Sequence, residues 1–348
     1  MSTLRIAVVG VGALGQHHAS KLSAFEDVEL IGVVDAREEQ GRSVAQRCGT
    51  EWFPSVSSLP DTPDAVVVAV PTAAHCTVAS EFLKKGVPVL VEKPLAANLQ
   101  EAETLRQLAD EHQCILQVGH IERFNPAYAE ARKHVTRPLF IRCQRVSPYA
   151  FRSMDIGVVH DLMIHDIDLV LDLVRQPVET VEAFGAVTIG PHEDFAVGRL
   201  RFQSGCIADL TVGRMCPEAE RSMQIWDPAG VVSVDLHART VTLRNPEGPF
   251  RADPSEVHRR IASAENPMSL KSEVFESWMG QTSVQAGSAD ALESELREFV
   301  DCVKNQSTPR VGGAEAVAAM EIAERVLAEI SLYSYQKSAS GGSGRRAA

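Results

Sequence analysis

Short apolar runs alternate with amphipathic stretches through the first 120 residues of the chain. The runs are rich in Val, Ile and Leu and predict strands buried on both faces, at residues 5–9, 29–34, 65–69, 87–91 and 115–118. The stretches between them predict helices, at residues 14–24, 38–47, 74–85 and 99–112. Regular alternation of strand and helix predicts an α/β domain with a doubly wound parallel sheet, the Rossmann arrangement.

A different pattern follows residue 123. After a predicted helix at 126–133, a strand at 139–146 and a helix at 158–173, strand candidates joined by short turns follow at residues 178–188, 195–202, 206–213, 222–226, 231–236 and 240–244. Strands in direct succession are typical of an antiparallel sheet. We therefore expect the second half to be an α+β domain with a large, mainly antiparallel open sheet.

The length of 348 residues suits two domains. We predict a Rossmann domain at 1–122, a second domain at 123–334 and a disordered, Ser/Gly/Arg-rich tail at 335–348. Residues 246–288 are rich in polar residues, Pro and Gly and are expected to be irregular. Two helices are predicted to complete the second domain, at residues 289–304 and 313–332.

Charge and cysteine usage exclude several classes of protein. The formal net charge of −12 disfavours nucleic acids and anionic membranes as partners. The apolar runs are much shorter than the ~20 residues of a membrane span, and the N-terminus lacks the features of a secretory signal. Seven cysteines without a CxxC pair suit reduced thiols rather than disulfides or a zinc site. We expect a cytoplasmic protein that binds no metal.

A glycine-rich turn joins the first predicted strand to the first predicted helix. In a GxGxxG turn the glycines permit a tight bend, close approach of a pyrophosphate and close packing of helix on strand. The free N–H groups at the start of the helix then favour the phosphates. The predicted contacts of a bound dinucleotide in this turn are Gly10, Gly12, Ala13, Leu14 and Gly15.

Asp35 lies twenty residues beyond Gly15, at the end of the second predicted strand. A carboxylate at this place accepts hydrogen bonds from a ribose diol and repels a 2′-phosphate, which favours NAD over NADP. Arg37 follows two residues later, and an arginine there is able to hold a 2′-phosphate. Asp35 and Arg37 are both predicted cofactor contacts, and Arg37 keeps NADP open as an alternative.

The segment Glu92-Lys93-Pro94 follows the predicted strand at 87–91. Charged residues at the carboxyl end of a buried parallel strand lie where open α/β sheets bind their ligands. There Lys93 is able to donate a hydrogen bond to a sugar hydroxyl and favour its ionised form. The alternative interpretation is a polar turn that only ends the strand.

The predicted helix at 158–173 presents Asp161, His165 and Asp168 on one face. A histidine there is suited to accept the proton of a hydroxyl while hydride leaves the adjacent carbon, with Asp161 as an orienting group. His160 and His165 diverge on a helix, which argues against a two-histidine metal site. The alternative is a solvated helix face with an Asp–His pair.

Residues 121–152 are basic against the acidic trend of the chain. Either they line a site for an anionic substrate, since arginine makes bidentate contacts with phosphate, or they are alternating charges on a strand face. The basic residues are Arg123, Arg132, Lys133, Arg137, Arg142, Arg145 and Arg152.

Together these segments resemble the glucose–fructose oxidoreductase / inositol dehydrogenase / MocA family, over nearly all of the chain up to about residue 332. The resemblance rests on GVGALGQHHA, VPT with His75, VEKPLA, RFNP and the DxxxHxxD of the predicted helix. It implies hydride transfer between nicotinamide and a sugar carbon, with Lys93, Asp161 and His165 in catalysis and a cis Lys93–Pro94 bond. It also implies homodimers or homotetramers that assemble through the open face of the second sheet.

The resemblance extends the set of predicted contacts. Further cofactor contacts are expected from residues at the ends of two strands, namely Pro71, Thr72, His75, Glu92 and Lys93. Substrate contacts are expected from residues in both halves of the chain, namely Lys93, Arg123, Asn125, Tyr149, Arg152, Asp161 and His165.

The segments GHIERFNP and HDLMIHDIDL resemble a bacterial branch that includes UDP-N-acetylglucosamine 3-dehydrogenases. In that branch a partner aminotransferase aminates the 3-keto sugar on the way to lipid A-type or other surface glycans. The resemblance therefore implies NAD-dependent oxidation of UDP-N-acetylglucosamine at C3. Two alternatives stay open: a dehydrogenase of inositol or a free sugar, and a non-catalytic nucleotide-sensing regulatory protein. The joint presence of Lys93, Asp161 and His165 argues against the regulatory protein.

Overall fold

The computed structural model describes residues 3–150, 156–247, 253 and 255–340. The chain divides into two compact units. The first consists of Met1–Phe124 and Ala289–Arg325, and the second of Asn125–Ser288 and Val326–Ala348. The predicted substrate contact Arg152 lies outside the described residues.

Six strands form the sheet of the first unit. They are β1 (Leu4–Val9), β2 (Val28–Val34), β3 (Trp52–Phe53), β4 (Ala65–Val68), β5 (Val89–Glu92) and β6 (Leu116–Gly119). Their order is β3-β2-β1-β4-β5-β6, and every neighbouring pair is parallel. All residues of β4 and β5 are buried, as their continuous apolar sequences predict. The doubly wound Rossmann sheet is confirmed, with its topological switch point between β1 and β4.

Helices connect these strands and cover both sheets. Among the described residues, the α-helices of seven residues or more are α1 (Gly15–Leu22), α2 (Glu38–Cys48), α3 (His75–Leu83), α4 (Leu99–Glu111), α5 (Pro126–Arg132), α6 (Ile164–Val174), α7 (Ser255–Ser263), α8 (Ala291–Asn305) and α9 (Gly313–Ser340). A π-helical turn, Val159–Met163, leads directly into α6. Of the helices that the structure describes, none is long and apolar enough to cross a membrane.

The core of the first unit includes a helix from far along the sequence. Leu296 and Phe299 of α8 are fully buried in one apolar cluster with Ile6 and Val8 of β1. The range predicted for the second domain, 123–334, includes residues 289–325, which pack within the first unit instead. The amphipathic pattern of α8 shows that one face is buried but does not show which sheet buries it.

Eight strands form the sheet of the second unit. They are β7 (Phe140–Val146), β8 (Val178–Ala186), β9 (Phe195–Phe202), β10 (Ile207–Gly213), β11 (Glu220–Asp227), β12 (Gly230–Asp235), β13 (Thr240–Pro246) and β14 (Met279–Gln285). Their order is β14-β13-β12-β11-β7-β10-β9-β8. Every neighbouring pair is antiparallel except β7 and β10. The predicted large, mainly antiparallel open sheet is confirmed.

The expectation that residues 246–288 are irregular is wrong for part of this segment. β14 pairs with β13 along its whole length as the edge strand of the sheet, and α7 precedes it. The strand reads MGQTSVQ and is mostly exposed or half-buried. An edge strand with so few apolar residues lacks the alternation that identifies a half-buried strand in a sequence.

The last helix also extends beyond its predicted end. α9 continues to Ser340, through residues 335–340 of the predicted disordered tail. This part of the chain contains neither Gly nor Pro, and the first glycine of the tail is Gly341. Residues 341–348 lie outside the described part of the chain.

Candidate active site

The glycine turn after β1 has a backbone that only glycine fits. Gly10 has a φ of +83° and donates its N–H to the carbonyl of Val34 at 2.7 Å. A Cβ on Gly10 would lie 2.6 Å from the N atom of Val70, and one on Gly15 would overlap the carbonyl of Gly10. Without side chains at these positions the turn packs against the end of β4, and α1 begins at Gly15.

Asp35 closes the other side of this turn. One carboxylate oxygen accepts the N–H of Val11 at 3.0 Å, and the other accepts the N–H of Arg37 at 2.9 Å. The Arg37 guanidinium also lies 3.3 Å from the carboxylate. Burial alone would raise the pKa of Asp35, but the hydrogen bonds from Arg37 and Val11 outweigh it and lower that pKa. Asp35 is therefore an ionised acceptor beside the glycine turn.

These residues fit NAD. Glycines at this turn keep side chains away from the place where a pyrophosphate binds in the Rossmann fold, and the buried, ionised carboxylate of Asp35 is a suitable acceptor for ribose hydroxyls. Ala13 and Leu14 are exposed on the turn, with Leu14 50% exposed. The Arg37 guanidinium reaches over the same turn, because a Cβ on Gly12 would lie 3.4 Å from it. Arg37 is thus placed beside the predicted ribose position but is paired with Asp35.

The segment after β4 is tied to the segment after β5 by a buried histidine. His75 begins α3 and is 2% exposed, and its ring nitrogens lie 2.9 Å from the carbonyls of Val70 and Pro94. Burial lowers the pKa of His75 despite the two carbonyls. Pro71 is exposed and Thr72 half-buried on the short turn before α3. We therefore expect Pro71 and Thr72, rather than the ring of His75, to meet a cofactor.

Lys93 follows the last residue of β5. The Lys93–Pro94 peptide bond is cis, which confirms what the resemblance implied. Lys93 is half-buried, and its N–H donates to the carboxylate of Glu92 at 3.2 Å. The neighbouring His120 is buried, and burial, with the charges of Arg123 and Lys93, lowers the pKa of His120 to about 3. The lysine thus lies at the carboxyl end of a parallel strand beside an uncharged imidazole.

The predicted helical motif of the second unit begins with a π turn. Asp161 lies in this turn and is half-buried, whereas His165 lies on α6 and is 9% exposed. Asp168 is 2% exposed, and Asp166 forms a buried ion pair with Arg145 at 2.8 Å. The predicted helix is confirmed, but its first turn has π-helical rather than the expected α-helical spacing. π turns inside α-helices are frequent at functional sites.

A loop between β8 and β9 holds the start of this helix, a contact that the sequence did not predict. Glu193 is 9% exposed; its carboxylate accepts the N–H of Val159 at 3.0 Å, and its carbonyl accepts the N–H of Val158 at 3.1 Å. A Cβ on Gly157 would overlap the Glu193 carboxylate. Nothing in the sequence pattern links Glu193 to a helix that begins more than thirty residues earlier.

A buried ion pair stabilises the same loop. Asp194 and Arg214 lie 2.8 Å apart, and Arg214 stacks on the ring of Tyr149 at 5.1 Å and donates to the carbonyl of Ile156. Burial would raise the pKa of Asp194, but hydrogen bonds from Arg214 and three backbone N–H groups lower it to about 2. Tyr149, a predicted substrate contact, is half-buried under this arginine.

Several of the predicted substrate contacts and basic residues form hydrogen bonds or ion pairs with other groups of the protein. Asn125 caps α5 by accepting the N–H of Ala127, and its amide donates to the carbonyl of Leu236. Arg123 is 5% exposed in the first unit, beside Glu298. Carboxylates pair with three members of the basic stretch, namely Arg132, Lys133 and Arg145. These pairs weaken the interpretation of the whole stretch as a lining for an anionic substrate.

Among the residues that the structure describes, no group of three or more His, Cys, Asp or Glu side chains is arranged to hold a metal ion. The first unit holds the glycine turn and the lysine at the end of β5, and the second unit holds the Asp–His motif.

Two family models match the sequence. Residues 4–120 match the oxidoreductase family model described as an NAD-binding Rossmann fold. Residues 119–232 match the GFO/IDH/MocA C-terminal domain. The first match covers the glycine turn, Asp35 and Lys93, and the second covers Asp161 and His165.

Curated relatives and solved structures agree with these matches. The chain is 31% identical to a UDP-N-acetylglucosamine 3-dehydrogenase from Acidithiobacillus ferrooxidans, over 87% of this chain and 90% of the relative. It is 27% identical to a scyllo-inositol 2-dehydrogenase (NAD(+)) from Bacillus subtilis, over 92% of each. A solved structure of a UDP-N-acetylglucosamine 3-dehydrogenase from A. ferrooxidans superposes with a TM-score of 0.84 and 29% identity, over 96% of this chain and 99% of that one. The chain therefore belongs to the GFO/IDH/MocA family of NAD-dependent oxidoreductases, which includes sugar and inositol dehydrogenases.

Proposed function

We propose that the protein oxidises the C3 hydroxyl of UDP-N-acetylglucosamine to a ketone, with NAD⁺ as the oxidant. The observation that carries this proposal is the 31% identity to an enzyme of that activity, over 87% of this chain and 90% of the relative. Similarity over nearly the full length of both proteins includes the second half of the chain, to which we assign sugar binding. The proposed product is a 3-keto nucleotide sugar, a substrate suited to an aminotransferase.

His165 acts as the general base in the proposed reaction. Imidazole titrates near neutral pH, and His165 is held on α6 with 9% of its surface exposed. Asp161 lies one turn earlier and orients the substrate hydroxyl or the imidazole. Lys93 donates a hydrogen bond to the oxygen on which negative charge develops. When bound, NAD⁺ supplies the hydride acceptor, while the glycine turn and Asp35 hold its pyrophosphate and ribose.

The test is formation of NADH by the purified protein with a panel of sugars. The panel contains UDP-N-acetylglucosamine, UDP-glucose, N-acetylglucosamine and myo-inositol, each with a ketone trap so that an unfavourable equilibrium does not hide oxidation. The proposal predicts NADH with UDP-N-acetylglucosamine and much less with the other three. Equal rates with UDP-glucose would show that the acetamido group is not recognised.

Oxidation of an inositol is the second candidate function. The scyllo-inositol 2-dehydrogenase from B. subtilis, at 27% identity over 92% of both chains, supports it. The catalytic groups would serve an inositol hydroxyl equally well, so the two candidates differ in what binds the rest of the substrate. NADH formation with an inositol but not with the nucleotide sugar would favour this candidate. A non-catalytic nucleotide sensor is not supported, because the chain belongs to an oxidoreductase family.

The proposed assembly is a homodimer or homotetramer formed through the open face of the second sheet. Large and charged side chains lie on this face, including Arg142, which stacks on Phe140 and Trp226 at about 6 Å. Phe184 on β8 is 40% exposed. Light scattering on the wild type and on Phe184→Asp tests the assembly. A wild-type oligomer that dissociates in the variant supports the proposal, whereas a monomeric wild type contradicts it.

A further inference from the structure

Glu92 makes two hydrogen bonds that link Lys93 to α1. Its Oε1 lies 2.6 Å from Nε2 of His18, and its Oε2 accepts the N–H of Lys93 at 3.2 Å. His18 is fully buried, and Glu92 is 8% exposed. The short His18–Glu92 distance is typical of a charge-assisted hydrogen bond. One carboxylate thus joins the helix after the glycine turn to the peptide group of the proposed catalytic lysine.

The surroundings of Glu92 make room for the carboxylate and keep it charged. A Cβ on Gly119 of the neighbouring β6 would lie 3.0 Å from Oε2 of Glu92. Burial alone would raise the pKa of Glu92, but the His18 hydrogen bond and the charge of Lys93 lower it. A buried, ionised group in a fixed hydrogen-bonded position is well suited to hold a loop in one conformation.

A second buried carboxyl group, that of Glu295 on α8, lies in the same region, and its pKa is shifted in the opposite direction. Glu295 is fully buried, and neither of its side-chain oxygens has a hydrogen-bond partner in the described structure. Burial, and after it the charge of Glu92, raises the pKa of Glu295 well above its ordinary value. Glu295 is therefore protonated and neutral, whereas Glu92 is ionised. Gln117 donates to the Glu295 carbonyl at 3.1 Å, which fixes α8 at this place.

We infer that His18 is a positioning residue, which holds Glu92 and through it fixes the backbone of Lys93 against α1. This inference rests on the proposed role of Lys93 in the reaction. A buried, hydrogen-bonded charge often contributes little to net stability compared with apolar residues of the same volume. An apolar pair could not accept a hydrogen bond from the Lys93 N–H, whereas the Glu92 carboxylate does. This hydrogen bond sets the direction of the backbone at Lys93, just after the end of β5.

The experiment compares His18→Leu, which removes the donor, with His18→Gln, which keeps an N–H donor of similar reach. His17→Gln is the matched control, since His17 is the exposed neighbour of His18 on α1. The first measurement is hydrogen–deuterium exchange of the peptide that contains Lys93. Pro94 has no N–H, so no exchanging amide directly follows that of Lys93. The second measurement is the separate effect on kcat and on the KM for NAD⁺.

We expect faster exchange at Lys93 in His18→Leu, a fall in kcat of about 10- to 100-fold and little change in the KM for NAD⁺. His18→Gln should recover most of both properties, and His17→Gln should match the wild type. His18→Leu leaves a buried charge unpaired, so the double variant His18→Leu/Glu92→Gln is included to secure a folded protein. It should show the same two defects.

Unchanged exchange at Lys93 in folded variants would overturn the inference, as would a defect confined to the KM for NAD⁺. Faster exchange with normal kcat would overturn it as well, since the fixed backbone would then serve no catalytic purpose. The exchange measurement needs no substrate. If no sugar is oxidised by the wild type, the proposed function fails by itself, and the exchange result still decides whether His18 fixes the Lys93 peptide.

Discussion

The carboxylate of Glu193 accepts the backbone N–H of Val159 at 3.0 Å, at the first turn of the helical segment that carries Asp161 and His165. A side-chain acceptor at a helix start satisfies an N–H that has no partner within the helix, and a negative charge there is favoured by the helix dipole. The proposed catalytic helix is thus fixed by a loop of the adjoining sheet.

Removal of this contact should weaken both stability and turnover. We expect Glu193→Ala to lower the free energy of unfolding by roughly 0.5–2 kcal/mol, the range observed for a lost helix cap. Glu193→Gln keeps a side-chain oxygen and should lose less. Chemical denaturation and kcat are the measurements. Equal stability of Glu193→Ala and the wild type would show that the contact does not hold the helix.

Gly157 provides a second test of the same relationship. A Cβ at this position would overlap the Glu193 carboxylate, so Gly157→Ala should be destabilising. In the double variant Gly157→Ala/Glu193→Ala the obstacle is gone, and the combined loss should be smaller than the sum of the single losses. Additive losses in a double-mutant cycle would mean that the two residues do not interact.

His165→Ala should abolish most turnover and leave cofactor binding intact. A general base contributes about 10²- to 10⁴-fold to a rate, so kcat should fall within that range. The Kd for NADH, measured by fluorescence titration, should stay within about twofold, because Asp35 and the glycine turn belong to the other unit. His192→Ala replaces an exposed histidine and serves as the control. A near-normal kcat for His165→Ala would remove His165 from the mechanism.

The Asp35–Arg37 pair should determine the choice between NAD and NADP. In Asp35→Ser the carboxylate that repels a 2′-phosphate is gone, and Arg37 loses its partner at 3.3 Å. We expect the KM for NAD⁺ to rise by about 10- to 100-fold, the equivalent of a hydrogen bond to a charged group, while the KM for NADP⁺ falls. The double variant Asp35→Ser/Arg37→Ala should lose the gain with NADP⁺. An unchanged preference in Asp35→Ser would contradict this role of Asp35.

Two buried groups should give the protein opposite pH dependences of stability. The pKa of His120 is lowered from 6.5 to about 3. Its contribution to the free energy of unfolding is therefore present above pH 6.5 and is lost as the pH falls from 6.5 to about 3. The pKa of Glu295 is raised well above 4.5. Its contribution to the free energy of unfolding is therefore present below pH 4.5 and is lost as the pH rises from 4.5 toward the pKa of Glu295 in the folded protein. Together they predict greatest stability in mildly acidic solution.

Glu295→Gln isolates the second of these effects. The amide is neutral at every pH, so the variant should gain stability relative to the wild type as pH rises, by roughly 1 kcal/mol per pH unit for one proton. Denaturant midpoints over a series of pH values measure the difference. Glu321→Gln makes the same change at an exposed site and should show no such slope. A constant difference at all pH values would mean that Glu295 does not keep its proton on folding.

The correct predictions concern features that are determined by the residue pattern within a short segment of the sequence. Apolar runs identified β4 and β5 because strands buried on both faces are apolar at every position. The spacing from Gly15 to Asp35 identified the cofactor site because one strand–helix–strand unit sets that distance. The cis bond at Lys93 followed from the resemblance alone.

The parts that were missed depend on contacts between distant segments. His18 and Glu92 are 74 residues apart, and a histidine in the first helix gives no sign of a partner at the end of β5. Glu193 reaches the helix of Asp161 only because β8 and β9 return the chain to that place. The basic stretch was ambiguous for the same reason, since the carboxylates of Asp166 and Asp172 that neutralise Arg145 and Arg132 come from another element.

The most direct test of the central claim follows the hydrogen at C3 of the sugar. UDP-N-acetylglucosamine deuterated at C3 is incubated with NAD⁺ and the purified protein, and the mass of the NADH formed is measured. The proposed reaction predicts NADH that carries one deuterium, and a kcat that falls by the extent to which hydride transfer limits turnover. NADH without deuterium would place the oxidation at another carbon, and no NADH in the presence of a ketone trap would contradict oxidation of this sugar.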